Sequence, residues 1–293
     1  MVKGSPVVRF GRGGQVLELG RHGSGPAVHL YGATGLGVAP VSIEKSDRLA
    51  GDGSVVRGVR YGDREVFIPV LLQQPSMAAL NAAREDLYRL LAPSPGDPAG
   101  SLVEVTVEDP TSDRVRTVRG IYREGLEGDF GDGFHGVWQT LGLVFDCADP
   151  WWLGRERTVS LQVGGTGKPF LSDTVDFFPV ILSPSAVAGE FTVQVDGDAE
   201  VFPVWEITGP GEDLVIESEQ GRIEVDGEFP AGEVFRIDAG AGRLSPDRWD
   251  DLSLESRLFP LRRGTNHISA SMVGSTADSM IRLVWRERWL AAV

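Results

Sequence analysis

Hydrophobic and polar residues alternate along most of this chain, which is the pattern of half-buried β-strands. The segment VFPVWEITGPGEDLVIESEQGRIEV, residues 201–225, shows the pattern clearly, with a Gly-Pro-Gly corner between two alternating runs. Residues 1–72 and 101–146 also contain short runs of this kind, separated by glycine-rich corners. The chain is therefore predicted to be mainly β.

One segment departs from this pattern and predicts an α-helix over residues 76–92. Ser76 can cap its amino terminus and Pro93 ends it. Its apolar residues recur at helical spacing, which predicts one face packed on a sheet. They are Leu80, Ala83, Leu87, Leu90 and Leu91.

Two domains are predicted, residues 1–157 and residues 158–293. The first contains the helix and ends with the run DPWWLGRER at 149–157, whereas the second contains only strand and turn patterns. A chain of 293 residues is long enough for two ordinary domains. No internal repeat relates the halves, so two different folds are expected.

Composition supports a turn-rich β protein and argues against several functions. The chain contains 38 Gly and 18 Pro, which favours many short strands. Its net charge of −14 disfavours tight or sequence-specific nucleic-acid binding, which needs clustered cations. No apolar run approaches the ~18 residues of a membrane-spanning helix, so no membrane association is predicted, and the amino terminus lacks the apolar stretch of a secretory signal. The single cysteine, Cys147, is predicted to point inward from a strand.

Motifs that would carry chemistry are incomplete. The glycine runs at 32–37 and 163–169 lack the spacing of phosphate-binding loops. The acidic loop at 127–136 misses the known calcium patterns, and a solvated hairpin tip is predicted instead. Its possible metal ligands would be Glu127, Asp129, Asp132 and His135. No catalytic residue, cofactor or metal site is predicted, and an enzyme is not expected.

Two other functions stay open at this level. Glu206 and Asp238 would be the acid and base candidates of a glycan-cleaving enzyme, although only by default. Tryptophans concentrated near or in the second half suggest sugar stacking, but Trp205, Trp285 and Trp289 lie in strand-like runs with apolar neighbours. Core packing is therefore the favoured interpretation for these three.

The order of these segments resembles the distal tail protein of long-tailed bacteriophages, a family that forms a ring at the tail tip. In the first half, the resemblance rests on REVFIPVLL, MAALNAAREDLYRLLAP, YREGLEG and LVFDCADPWW. In the second half, it rests on VDGDAEVFPVWEITGPGEDLVIES, AGEVFRIDAGAGRL, SRLFPLRRGTNHISA and IRLVWRERWL. Each motif is weak alone, but their order covers most of the chain.

The resemblance implies a tail-tube-like, β-sandwich-like amino-terminal domain with one helix and a galectin-like carboxy-terminal β-sandwich. It implies a homo-hexameric ring in the virion, around a DNA channel that we expect to be acidic or neutral. The tail tube protein and the tail hub protein would be its partners, with the tape-measure protein a further candidate. A carbohydrate-binding module of a tail-borne or secreted adhesin is the alternative. Neither the host nor the choice between an infectious phage and a related tail-like or gene-transfer particle follows from the sequence.

The first domain is expected to build the ring. Its apolar strand around residues 64–72 would be an exposed edge that a neighbouring copy covers. Arginines interleaved along this region suit pairing with carboxylates of an acidic neighbour. The candidate ring-interface residues are Arg57, Arg60, Arg64 and Phe67.

Overall fold

The computed structural model describes residues 6–20, 27–29, 32–109, 111–127, 134–162 and 189–293. Its chain divides into two compact units, Met1–Gly154 with Trp289–Val293, and Arg155–Arg288. The carboxy-terminal residues 289–293 therefore belong to the first unit. A single boundary at residue 157 would assign them to the second domain. Asp129, Asp132 and the glycine run 163–169 lie outside the described residues.

The first unit is built mainly of antiparallel strands, as the alternation predicts. Its elements are β1 (Val7–Arg12), β2 (Gln15–Leu19), β3 (Ala27–His29), β4 (Val41–Asp47), β5 (Ser54–Tyr61), β6 (Arg64–Gln73), α1 (Met77–Leu91), β7 (Leu102–Glu108), β8 (Val115–Glu124), β9 (Phe134–His135), β10 (Trp138–Cys147) and the start of β11 (Trp152–Gln162).

The main sheet of this unit has the strand order β2-β1-β7-β8-β10-β6-β3. Its two end strands approach each other where the amide of Gly20 donates to the carbonyl oxygen of Ala27 at 2.8 Å. Strands β4 and β5 form a separate two-stranded hairpin. The two residues Gly62 and Asp63 therefore connect strands β5 and β6, which are not partners.

The helix α1 agrees with its sequence pattern. The Ser76 hydroxyl accepts from the amide of Ala79, and Leu80, Leu87, Leu90 and Leu91 are buried on its inner face. At its other end, Arg12 of β1 donates to the carbonyl oxygens of Leu90 and Ala92, which have no partner inside the helix. The helix thereby packs on the sheet that provides the core of the first unit.

The second unit is a β-sandwich. One sheet has the order β12 (Gly189–Val195), β18 (Gly264–Val273), β14 (Gly211–Ser218) and β15 (Gly221–Phe229). The other has the order β17 (Arg243–Ser245), β16 (Val234–Asp238), β13 (Val204–Thr208) and β19 (Met280–Trp289). A short 3-10 helix spans Trp249–Asp251. The inward residues of both sheets form one apolar core, which includes Trp205 between Phe191 and Phe259.

Candidate assembly surface

The hairpin of β4 and β5 has one apolar face that the described chain leaves largely exposed, with Tyr61 packed edge-on against the ring of Trp151 at a centroid distance of 5.0 Å. Val41 pairs with Tyr61 and Ile43 with Val59, so the alternation of strand side chains places these four on one face. Their exposed fractions are 48% for Val41, 52% for Ile43, 64% for Val59 and 38% for Tyr61. An isolated two-stranded hairpin is marginally stable in water, so this face is suited to a partner.

The opposite face of the hairpin is polar. It presents Ser42, Glu44 and Arg60, which line a shallow depression together with Gly58. Arg57 lies at an irregularity in the pairing, where its Nε donates to the hydroxyl of Ser46 at 2.8 Å. Arg57 and Arg60 are therefore both exposed on β5, where a neighbouring molecule can reach them.

Arg64 has a different environment from the other two arginines. Only 2% of it is exposed, and its guanidinium donates to the carbonyl oxygens of Gly35, Gly37, Pro150 and Leu290. It also lies over the ring of Trp152, 5.5 Å from its centroid. Burial lowers the pKa of Arg64 from its ordinary value. Arg64 thus holds the first unit together from inside, and we do not include it in the assembly surface.

Gly35 makes this arrangement possible. Its φ of +80° is in the left-handed region, and a Cβ atom there would lie 2.0 Å from the carbonyl oxygen of Glu65. Only glycine lets the loop approach the start of β6 so closely. The carbonyl oxygen of Gly35 is thereby brought within reach of Arg64.

The apolar strand that was expected to be an exposed edge is paired within the chain. Strand β6 pairs with β10 along its whole length and with β3 on its other side, and Thr34 forms a bridge to Phe67. Phe67 is half-buried, and its ring lies over Gly142. Exposed apolar residues lie instead on the neighbouring hairpin of β4 and β5.

The four apolar residues of the hairpin are not among the interface residues that the sequence predicts. The signal was present, because VSI and VRY each place apolar residues at alternate positions. What the sequence did not reveal is that β5 pairs with β4 rather than with β6. That pairing puts all four side chains on one face.

The described residues contain no group of three or more His, Cys, Asp or Glu side chains that could hold a metal ion. Glu206 pairs with Arg282 at 3.3 Å, and Asp238 accepts from the amides of Gly240 and Ala241. Both default acid and base candidates are thus engaged in local structure. Cys147 is fully buried, as predicted, and burial raises the pKa of its thiol to about 12.

The outward face of the four-stranded sheet in the second unit is polar. Thr192 pairs with His267 and Gln194 with Thr265 across it. Trp205 and Trp285 are buried in the core, as predicted, and Trp289 is partly buried in the first unit. The described strands of this sheet place no Phe, Tyr or Trp side chain on that face.

No helix in the described part of the chain is both long and apolar enough to span a bilayer.

Comparison with known proteins found a family model and solved structures that are similar to this chain. Residues 196–289 match the family model "Siphovirus-type tail component, C-terminal domain". The crystal structure of the Dit protein (gp 19.1) of phage SPP1 is similar, with a TM-score of 0.62, 16% identity, and coverage of 97% of this chain and 100% of that one. A chain of the phage p2 baseplate, activated with Ca, has a TM-score of 0.57, 8% identity, and coverage of 96% and 98%. The strontium form of that baseplate has a TM-score of 0.57, 7% identity and the same coverage. No curated protein matches this chain in sequence.

Residues 196–289 therefore match the carboxy-terminal domain of siphovirus-type tail components. The fold of the whole chain is that of the distal tail protein of SPP1, which confirms the predicted resemblance to siphovirus distal tail proteins. The mainly β fold and the virion localisation are also confirmed. The matching family and structures are structural tail and baseplate proteins, not enzymes.

Proposed function

We propose that this chain is a structural component of the tail tip of a long-tailed phage, in which six copies form a ring. The ring joins the tail tube to the tail hub and surrounds the channel for DNA. The observation that carries this proposal is the full-length similarity to SPP1 Dit, a protein described as a paradigm of the hub adsorption apparatus.

The hairpin of the first unit supports an assembly role. Its apolar face is exposed in a single copy, and contact between unlike surfaces of successive copies would cover it. Such head-to-tail contacts close into a ring when the rotation between copies is right. The first unit, which carries the hairpin, is therefore assigned the ring contacts.

The charge of the chain suits a conduit. A net charge of −14 gives DNA no general attraction to the protein surface, so DNA can pass without being held. The tail tube protein and the tail hub protein are the proposed partners on the two sides of the ring, and the tape-measure protein is a further candidate.

Mass measurement and electron microscopy of the purified chain test this function. We expect a six-copy mass and ring-shaped particles with a central channel, alone or on addition of the tail tube protein from the same particle. A chain that stays monomeric with that partner present would refute the ring. A glycan array separates the alternative, because saturable sugar binding would favour a carbohydrate-binding module.

A further inference from the structure

The two sheets of the second unit turn faces of opposite charge outward. On the sheet β17-β16-β13-β19, the side chains between the buried core residues point away from the core, because strand side chains alternate. Glu156 of the adjoining strand β11 is out of phase with the buried Leu161 and shares this face. The basic face, as we call it, carries five arginines, Arg236, Arg243, Arg282, Arg286 and Arg288, against three carboxylates, Glu156, Glu206 and Asp238.

The outward face of the other sheet, β12-β18-β14-β15, is acidic. By the same alternation it carries one arginine, Arg222, against six carboxylates, Glu190, Glu212, Glu217, Glu224, Asp226 and Glu228. Arg222 pairs with Glu217 and Glu224. The other four carboxylates form no ion pair within the residues that the structure describes. This acidic face is therefore free to attract a positively charged surface.

The basic face likewise has charges that its own sheet does not neutralise. Glu206 lies between Arg236 and Arg282 in the strand register, and it pairs with Arg282 at 3.3 Å. Arg236 and Arg243 are both exposed, and neither forms an ion pair in the described part of the chain. Guanidinium groups bind carboxylates through two parallel N–H donors, so these arginines are suited to carboxylates of another molecule.

Each face also exposes apolar residues, and those on both faces lie at the same end of the sandwich. On the basic face, Val234 is 52% exposed and Met280 is 37% exposed, on either side of Thr208 in the register. On the acidic face, Val273 is 59% exposed beside Glu212. Only two residues separate the end of β13 from the start of β14, so this corner places the two apolar patches at one end.

We propose that the basic face of one copy docks on the acidic face of the second unit of another copy. This contact is additional to the proposed ring contacts of the first unit. Two copies stacked in the same orientation bring Val234 and Met280 of one against Val273 of the other, with arginines opposite glutamates. Each copy offers one face to each of two neighbours, which is a head-to-tail arrangement.

Charge and shape favour a second copy as the occupant. The basic face requires a flat acidic surface with an apolar patch at one end, and the acidic face of another copy has these features. Two copies related by a two-fold axis would instead place faces of like charge together, which is repulsive.

The size of the faces limits the strength of the contact. Four strands about 4.8 Å apart and about five residues long cover on the order of 300 Å². A standard interface buries about 800 Å² on each partner, so this contact is weak by itself. It gains strength where an assembly already holds the second units of different copies close together.

Thiol cross-linking between two variants of the full chain tests the docking. Val234→Cys places a thiol on the basic face and Val273→Cys places one on the acidic face, both at exposed positions. The native Cys147 is fully buried with a raised thiol pKa, so it does not compete. A short bis-maleimide traps a weak contact, and a size tag on one variant separates the mixed dimer from the two like dimers.

We expect the mixed dimer to form at least ~10-fold faster than either like dimer, because docking raises the effective concentration of the unlike thiols. The like dimers are the matched control, since each thiol keeps its own surroundings in both reactions. We also expect the advantage of the mixed dimer to shrink as the salt concentration rises from about 0.05 to 0.5 M, because salt screens exposed charges.

Charge reversal gives a second readout. Arg236→Glu in the Val234→Cys variant should slow the mixed reaction at least ~5-fold, because it places a carboxylate opposite the acidic face. Glu212→Arg in the Val273→Cys partner should restore the rate. The control Arg89→Glu makes the same change in net charge on α1 of the first unit and should leave the rate unchanged. Circular dichroism checks that each variant is folded.

The failure of this docking and the failure of the ring are distinguishable. Equal rates for mixed and like dimers, or a rate that Arg236→Glu and Arg89→Glu change equally, would overturn the docking, whether or not six-copy rings form. Selective mixed dimers from a chain that forms no six-copy assembly would support the docking and overturn the proposed ring.

Discussion

The guanidinium of Arg64 donates a 3.0 Å hydrogen bond to the carbonyl oxygen of Leu290, 226 residues further along the chain. Both residues belong to the first unit. Because the same side chain also binds the carbonyl oxygens of Gly35, Gly37 and Pro150, Arg64 joins three distant segments at the base of the hairpin.

Arg64→Ala is expected to destabilise the first unit by about 3 kcal/mol or more, because buried carbonyl oxygens lose their donors. Urea unfolding measures the effect. The control Arg60→Ala removes an exposed arginine from the adjacent strand and should change stability by less than ~0.5 kcal/mol. Equal stability of the two variants would contradict the structural role of Arg64.

Removing residues 289–293 is expected to destabilise the first unit and leave the second unit folded. The amide of Ala292 donates to the carbonyl oxygen of Leu36 at 2.8 Å, and the guanidinium of Arg116 lies 3.8 Å from the centroid of the Trp289 ring. Hydrogen exchange resolved by segment reads out each unit separately. Deletion of Val293 alone, which is 56% exposed, is the control and should have little effect. Unchanged protection of β1, β6 and β10 in the longer deletion would show that the first unit does not need this segment.

Leu87→Asp is expected to unfold the first unit, because it places a carboxylate at a position that is 1% exposed. The cost should be several kcal/mol, measured by thermal or urea unfolding. Asn81→Asp changes an exposed residue of the same helix and is the control. A Leu87→Asp variant that melts with the wild type would show that this face of α1 is not packed.

Val59→Asp is expected to prevent assembly without lowering the stability of the single chain. The side chain is 64% exposed in one copy, so a charge there costs little until a partner covers it. Sedimentation of the variant measures its assembly, and urea unfolding measures the stability of the single chain. Rings of normal mass from Val59→Asp would exclude the apolar face from the contacts between copies.

Asp109 is expected to titrate with a pKa of about 2, because it accepts from the hydroxyls of Thr111 and Ser112. The folded pKa lies below the ordinary value near ~3.9, so the ionised carboxylate stabilises the folded turn at pH values above ~3.9. This stabilisation is lost as the pH falls through about 2. Carboxyl NMR measures the midpoint. In Thr111→Val the midpoint should rise, whereas an unchanged midpoint would exclude the hydroxyl as the main cause.

Much of the local structure could be predicted from the sequence by itself. Helix α1 was predictable because its leucines recur every three to four residues and Ser76 and Pro93 mark its ends. The burial of Cys147 and of Trp205 followed from the alternation of the surrounding strand residues. These features depend on neighbours within a few positions, so a single sequence contains the information.

The tertiary structure decided the rest, because strand pairing and burial depend on residues far apart in the chain. Arg57, Arg60 and Arg64 look alike in the sequence, yet two are exposed and the third is enclosed by carbonyl groups up to 226 residues away. The apolar face of the hairpin exists only because β5 pairs with β4 while β6 pairs with β10 and β3. In the same way, only the folded chain returns residues 289–293 to the first unit, since their partners Leu36, Arg64 and Arg116 lie more than 170 residues earlier in the sequence.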